Sequence, residues 1–269
     1  MSGSNGAGLP NPSEDEIVRE LQQTVSASRL SLFLQCRLKF YFRYVKGISK
    51  PTSPALHLGS CVHSTLSAWN KARWRREPLT TEQLRETYAK AWNNEEHATV
   101  NWQGREEEQE KTGWALVETY LRESNASPDV MPDAVEVPIE ADLRPHGLPV
   151  LVGVLDLVRQ GVIVEYKTSS STPSPDHSAH VHEVQVTGYA VLFRACTGQT
   201  EQGIEIHTLV KLKTPRLIVA AMPIVTEQRK LRLFRLIESY VAGLDRCEWI
   251  PAPGLQCSAC EYFSECRRW

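Results

Sequence analysis

Residues 153–168 read GVLDLVRQGVIVEYKT, two apolar runs that meet at Gln160-Gly161. The Val, Leu and Ile content makes each run a strand and the glycine supports a two-residue turn, so Val150 to Arg159 and Val162 to Thr168 form a β-hairpin. In that register Arg159 faces Val162, and Asp156 falls opposite Glu165. Side chains alternate along a strand, so Lys167 shares their face while Tyr166 points the other way. Both faces are otherwise apolar, with Val152, Val154 and Ile163 on one and Leu155, Leu157 and Val164 on the other. Such a pair belongs at the centre of a sheet covered by helices. Two carboxylates facing each other there repel unless a cation or a shared proton neutralises them. A hard divalent ion, held by one or two carboxylates with water and phosphate completing its shell, meets that need. The plainer alternative is a surface hairpin with an ion-paired Glu-X-Lys, since exposed pairs of that kind are common and contribute little. The opposed aspartate and the apolar flanks favour a buried titratable cluster, which is where functional sites concentrate.

Upstream of the hairpin, alternation in Val135, Val137 and Ile139 marks an earlier strand. Downstream come a helix carrying Gln185 and Tyr189, strands around Ile204 to Lys211 and Leu217 to Ile224, and a long helix from Thr226 to Arg246. Ahead of the sheet, Glu14 to Gln23 and Ser28 to Tyr44 read as helices, the second with Ser28 as N-cap. A proline-containing loop, Lys50 to Pro54, leads to Gly59-Ser-Cys-Val-His63, which opens a helix carrying Leu66, Trp69 and Asn70. The stretch from Thr80 to Glu123 has helical period with a break at Gln103-Gly104, an insertion of about residues 80–124 before the sheet. The polar run from Ser169 to Ala179 reads as a loop and, directly after Lys167, is a candidate substrate lid. The fold class is therefore α/β, a central mixed sheet flanked by helices.

The combination of Asp156 with Glu165-Tyr166-Lys167 resembles the PD-(D/E)XK nuclease superfamily. Three further features resemble its RecB-like branch: the G-x-x-x-H run ending at His63, the Q-x-x-x-Y run from Gln185 to Tyr189, whose spacing puts both on one helix face, and a cysteine set. The resemblance implies a restriction-endonuclease-like αβββαβ core and metal-dependent hydrolysis of DNA phosphodiesters. It implies Mg²⁺ or Mn²⁺ held by His63, Asp156, Glu165 and the Tyr166 carbonyl. Lys167 would orient the attacking water and stabilise the transition state, Gln185 would hold the lysine or a phosphate, and Tyr189 would buttress that helix.

Seven cysteines with no signal-like leader argue for metal or thiol chemistry rather than a disulfide framework. Cys257, Cys260 and Cys266 form a C-x2-C-x5-C cluster in the terminal segment 250–269, and Cys36 lies far upstream on a helix, where a lone thiol is ordinarily core. One cysteine before the nuclease core and three after it is similar to the iron-sulfur nucleases related to AddB and to the CRISPR spacer-acquisition exonuclease. That resemblance implies a [4Fe-4S] cluster stapling the two ends of the chain. Spacing alone leaves a structural zinc open. Cys61, Cys196 and Cys247 fit no spacing and read as buried structural thiols.

At 269 residues the chain suits one large domain, read as residues 16–269 behind a Gly/Ser/Pro-rich tail, 1–15. The tail resembles neither a signal nor a transit peptide and no apolar run spans a membrane, so the expected location is cytoplasmic. A net charge of −2 makes no global case for nucleic acid. The case rests on local clusters around Lys71, Lys211 and Arg229 to Arg235. Phe40, Tyr41, Phe42, Tyr44, Trp69 and Trp74 could stack the bases of a single strand, although helical spacing favours the core for most of them. The expected partner is DNA, single-stranded or with a free end. With no G-x-x-x-x-G-K-[ST] phosphate loop, unwinding would fall to a helicase or other repair protein. The alternative function is a catalytically inactive DNA-binding or zinc-binding subunit of a larger complex.

Overall fold

The computed structural model describes residues 12–124 and 130–269, so most of the N-terminal tail lies outside the described residues. What is described begins earlier than residue 16. Ser13 caps helix α1 (Glu14–Gln23) in a reciprocal capping box with Glu16, and three acids fill the first turn, where the helix dipole favours them. A short strand not evident from periodicity, β1 (Thr24–Ser26), follows.

The expected helix from Ser28 to Tyr44 is broken. Helix α2 (Ala27–Gln35) is capped by Ser26 rather than Ser28, and the chain turns extended at Cys36 (φ −165°, ψ 109°) before α3 (Arg37–Phe40) and a π-helical turn over Tyr41–Val45. Beyond the break the Leu38 N–H goes to the Ile250 carbonyl at 3.3 Å, a long-range partner that local sequence does not announce. Helix α4 (Pro54–Trp74) starts with Ser53 as cap and proline in its first turn, so Gly59 and His63 lie inside it rather than at its opening. Helices α5 (Thr81–Trp92) and α6 (Glu106–Glu123) occupy the stretch expected as an insertion, and Gln103 and Gly104 both take positive φ at the break between them.

Strand β2 (Ala134–Ala141) leads to the hairpin of β3 (Val150–Arg159) and β4 (Val162–Ser169). Gln160 (φ 50°) and Gly161 (φ 73°) are both left-handed, as a tight hairpin turn requires. The run after β4 is not all loop, because α7 (Pro175–Val181) occupies its end. Helix α8 (Glu183–Thr197), β5 (Gly203–Val210), β6 (Arg216–Met222), α9 (Glu227–Asp245) and a terminal turn of helix, α10 (Phe263–Cys266), complete the described chain.

The sheet is mixed. One edge of β3 carries β2, antiparallel along nearly its whole length, and the other carries parallel β1 and then antiparallel β4. Strand β4 pairs β5 in parallel, with α8 as crossover, and β6 closes the far side. Two apolar cores flank this sheet. One lies among α1, α2, α8 and α9, built on Phe33, Phe40, Leu192 and Tyr240, and the other among α4, α5 and α6, built on Leu66, Trp92, Tyr120 and Tyr166.

Two details of the hairpin depart from its alternating pattern. Pairing of β3 with β4 runs through Arg159↔Val162 to Leu157↔Val164 and goes no further, so Asp156 and Glu165 are not a laddered pair. Val154, read as apolar core, is 46 % exposed. Cys61 is buried as expected, but Cys196 and Cys247 are exposed, the first near the end of α8 and the second in a left-handed residue after α9. No helix among the described residues is long and apolar enough to cross a membrane.

Candidate active site

Where β3 and β4 part, the Asp156 carboxylate fills the gap and accepts the backbone N–H of Tyr166 at 2.9 Å. It stands within reach of both sides of the sheet. From α4, His63 brings Nδ1 to 3.5 Å of Asp156 Oδ2. On the α8 side, Lys167 Nζ lies 2.5 Å from Glu165 Oε1 and 2.9 Å from Gln185 Oε1, and Gln185 Nε2 donates to Glu165 Oε1 at 2.7 Å and to the Tyr189 hydroxyl at 2.8 Å. The expected residues thus come together as a hydrogen-bonded set of Glu165, Lys167, Gln185 and Tyr189 beside the ion pair of His63 and Asp156. The one-turn spacing of Gln185 and Tyr189 lets the tyrosine hydroxyl steady the amide.

Tyr166 contributes through its backbone. Its side chain points into the opposite core, where its hydroxyl lies 3.0 Å from Asn70 Nδ2 and 3.3 Å from the Tyr120 hydroxyl. A chain of polar contacts continues from Tyr120 to His207 Nδ1 (3.2 Å) and from His207 Nε2 to Glu205 (2.8 Å), with Arg159 on the same carboxylate at 2.8 Å. These contacts fix the Tyr166 ring, and with it the peptide that holds Asp156.

Burial and charge pull the acids apart. Burial is the largest influence on Asp156 and pushes it up, yet the hydrogen bond and charge of His63 and the Tyr166 N–H outweigh it and hold the carboxyl below its usual range. Glu165 is raised, first by burial and then by the Asp156 charge, against the opposing pull of Lys167. Burial works against a charged His63, but its contact with Asp156 and the nearby Glu165 charge leave it above the usual imidazole value.

The donor set suits a hard cation. Glu165 is 3 % exposed, and its Oε2 is buried with no hydrogen-bond partner. An orphaned carboxylate oxygen beside a second carboxylate is costly without a cation. His63 supplies an imidazole and the Tyr166 carbonyl belongs to the same short segment. As the side chains stand, no three His, Cys, Asp or Glu groups among the described residues ring one point closely enough to hold an ion.

Three cavities meet this group. One of about 730 Å³ touches Asp156, Gln185 and Tyr189. A second, of about 600 Å³, is lined by His63, Tyr166, Lys167 and Lys211, and a third, of about 460 Å³, lies between Lys167 and α7. Several lining residues had no motif to mark them. Glu136, left-handed at φ 47° and paired with Lys71 at 2.7 Å, lines the second cavity. His182 lines the third, where burial and then the Lys167 charge lower its pKa to about 4. The carboxylate among alternating valines was the one available signal for Glu136. Of the aromatics that could stack bases, Phe40, Tyr41 and Phe42 are buried, while Trp74 is exposed.

The other expected cluster lies at the far ends of the chain. Cys36, Cys257, Cys260 and Cys266 all line one apolar cavity of about 240 Å³, and none is in a disulfide. Burial and then the adjoining Cys36, Cys257 and Cys260 push the Cys266 thiol up. Four sulfurs around an apolar hollow suit a thiolate-bound metal or cluster by the chemistry of the set, although they too stand short of ligating geometry. Around them, Arg37 pairs with Glu248, Lys39 with Glu261 and Lys50 with Glu265, joining α3 and the loop before α4 to the C-terminal segment without the cluster.

No protein of curated function matches the chain. Among solved structures, a crystal structure described as a "Putative exonuclease" from Eubacterium rectale superposes with a TM-score of 0.60 over 95 % of this chain and 94 % of that one, at 15 % identity. At that identity the likeness speaks for the fold, a mixed sheet between helices. The sequence profile of the PD-(D/E)XK nuclease superfamily matches residues 24–267. That span runs from β1 to the last cysteine and takes in both the parted hairpin and the helix that carries Gln185, and on this match the chain belongs to the PD-(D/E)XK nuclease superfamily.

Proposed function

We propose that the protein is a Mg²⁺- or Mn²⁺-dependent deoxyribonuclease of RecB-like type, an exonuclease acting on single-stranded DNA or free ends in repair, recombination or the processing of phage or CRISPR DNA. The observation that carries the reading is the orphaned Glu165 Oε2 beside Asp156, with Lys167 at 2.5 Å from the other Glu165 oxygen. His63, Asp156, Glu165 and the Tyr166 carbonyl would hold the cation, which when bound acidifies a water and offsets charge on the phosphate. Lys167 presents a fixed ammonium to the attacking water and the phosphoryl oxygens. Gln185 holds that ammonium in place, and Tyr189 holds Gln185. We read residues 16–269 as one nuclease domain. A [4Fe-4S] cluster on Cys36, Cys257, Cys260 and Cys266, with zinc as the alternative metal, would join its ends, and a helicase would supply any unwinding.

The test is cleavage of end-labelled single-stranded and duplex DNA with Mg²⁺ or Mn²⁺, wild type beside Glu165→Ala, both purified without air. Cleavage that depends on the metal and on Glu165 supports the reading. An intact, metal-loaded wild type that cuts neither substrate overturns it in favour of a binding subunit.

A further inference from the structure

The edge of β3 that carries β1 and β4 is interrupted. Strand β1 pairs as far as Ser26↔Val152 and β4 resumes at Leu157↔Val164, so neither strand reaches residues 153–156 on that edge. A cavity of about 730 Å³ opens at this interruption and runs from Asp156, Gln185 and Tyr189 past Val152 and Val154, with Pro138 to Glu140 of β2 beside them, to Ser26 and Ser28 at the start of α2. Gly153 permits the close approach of α8 here, since a Cβ at that position would come within 2.7 Å of Leu192.

Val154 is the anomaly. An interior strand with neighbours on both edges ordinarily buries its valines, yet Val154 is 46 % exposed, and its partner on β2, Pro138, is exposed beside it. An open apolar surface that ends on a catalytic carboxylate invites a ligand with an apolar face and a polar edge.

We propose that this groove is the subsite for the nucleotide next to the scissile phosphate of a single strand, with sugar and base against Val154 and Tyr189 and the backbone passing the Ser26 and Ser28 hydroxyls. The inference rests on the nuclease reading for its substrate and adds a binding residue outside the catalytic group. The groove is continuous with Asp156, and its volume is on the scale of one small-molecule site, about 300–1,000 Å³, rather than of a duplex. Glu140, which also lines it, opposes a polyanion, so affinity there comes from apolar contact rather than charge.

Two variants of the full chain test it. Val154→Glu places a carboxylate in the groove at a position already open to water. Ser28→Asp adds one in the first turn of α2, where an acid favours the helix, so a loss of binding there is not a loss of fold. With fluorescein-labelled oligothymidylate and a Glu165→Ala background to block hydrolysis, each is expected to weaken binding about tenfold or more. In the active protein each should raise KM with kcat little changed, and the unfolding midpoint of Ser28→Asp should hold. If wild type cleaves single strands and both variants bind and cleave as it does, the subsite falls and the nuclease reading stands. If wild type does not cleave but binds the oligonucleotide in a manner sensitive to both variants, the nuclease reading falls, and the groove stands as a single-strand binding site with no scissile phosphate beside it. If wild type neither binds nor cleaves, both fall.

Discussion

The Asp156 carboxylate accepts the Tyr166 backbone N–H at 2.9 Å, in the gap where β3 and β4 stop pairing. The side chain thus takes the place of a ladder carbonyl, and Asp156 has a structural duty as well as a charge. Asp156→Asn keeps an acceptor for that N–H, whereas Asp156→Ala leaves it buried and unsatisfied. In metal-free protein, urea unfolding is expected to find the alanine variant less stable than the asparagine variant by about 1–3 kcal/mol. Both should lose cleavage, because neither offers a carboxylate to a cation. Equal stabilities would show that the N–H finds another partner.

Lys167 is held by Glu165 and Gln185 and is not needed to complete any core. Lys167→Ala should therefore keep the fold and bind Mn²⁺ while turnover drops by about 100-fold or more, the scale of losing a charge-stabilising donor at the transition state. Mn²⁺ titration and single-turnover cleavage separate the two effects. Near-wild-type turnover would remove Lys167 from the chemistry.

His182 sits beside Lys167 with its pKa lowered to about 4. The unfolded chain takes up a proton at an ordinary imidazole value near 6.5 and the folded chain only near 4, so protons favour the unfolded state across that window. Stability contributed at neutral pH is lost as pH falls from about 6.5 to 4. His207, lowered by burial against the pull of Glu205, acts in the same sense, and His63, raised, acts in the opposite sense. Thermal unfolding across this range should show a shallower slope in His182→Gln than in wild type. Parallel slopes would mean that His182 is solvated like a free imidazole.

How much of this was legible depended on whether the cause was local. The hairpin turn, the ends of α1 and the helix break at Gln103-Gly104 follow from residues within a few positions, and the sequence carries them openly. So does the pairing of Gln185 with Tyr189, fixed by helical spacing. The extended residue at Cys36 is set by contact with the chain near Ile250, more than 200 positions away, and no window around it reports that. The parting of β3 from β4 is similar. Alternation correctly brings Asp156 near Glu165, but only the presence of β1 on the same edge reveals an open notch and an exposed Val154. The polar contacts running from Asn70 through Tyr166 to Glu205 join four elements and carry no spacing signature.

Gly113 lies in the middle of α6, where glycine costs about 1 kcal/mol relative to alanine in an exposed helix. Here a Cβ would fall 2.1 Å from the Tyr88 hydroxyl and 3.3 Å from Leu58, in the core between α4, α5 and α6. The hydroxyl is itself committed, donating to the Glu110 carbonyl at 3.0 Å. Overpacking outweighs the helix gain, and Gly113→Ala should destabilise by about 1–3 kcal/mol in chemical denaturation. A more stable variant would show that Tyr88 can move aside at little cost.

Cys36 is delivered to the C-terminal cysteines by the break between α2 and α3, and all four line one apolar cavity. Charge pairs across the same junction, Lys39 with Glu261 and Lys50 with Glu265, are partly exposed and contribute little. Apolar contacts cross it as well, with Tyr262 buried against Phe42 and its hydroxyl donating to the Ile48 carbonyl, and a metal on the thiols would add to them. If that is an iron-sulfur cluster, protein purified without air should be brown and yield iron and sulfide, and Cys260→Ala should be colourless and poorly soluble. Zinc in place of iron would keep the staple and change its metal, because four thiolates serve either. The proposed cleavage site lies elsewhere, so loss at Cys260 should act through stability: activity per folded molecule should survive when the variant is assayed cold, soon after purification. A fully stable, metal-free Cys260→Ala would show instead that the apolar contacts of Phe42 and Tyr262 hold the two ends together without any metal.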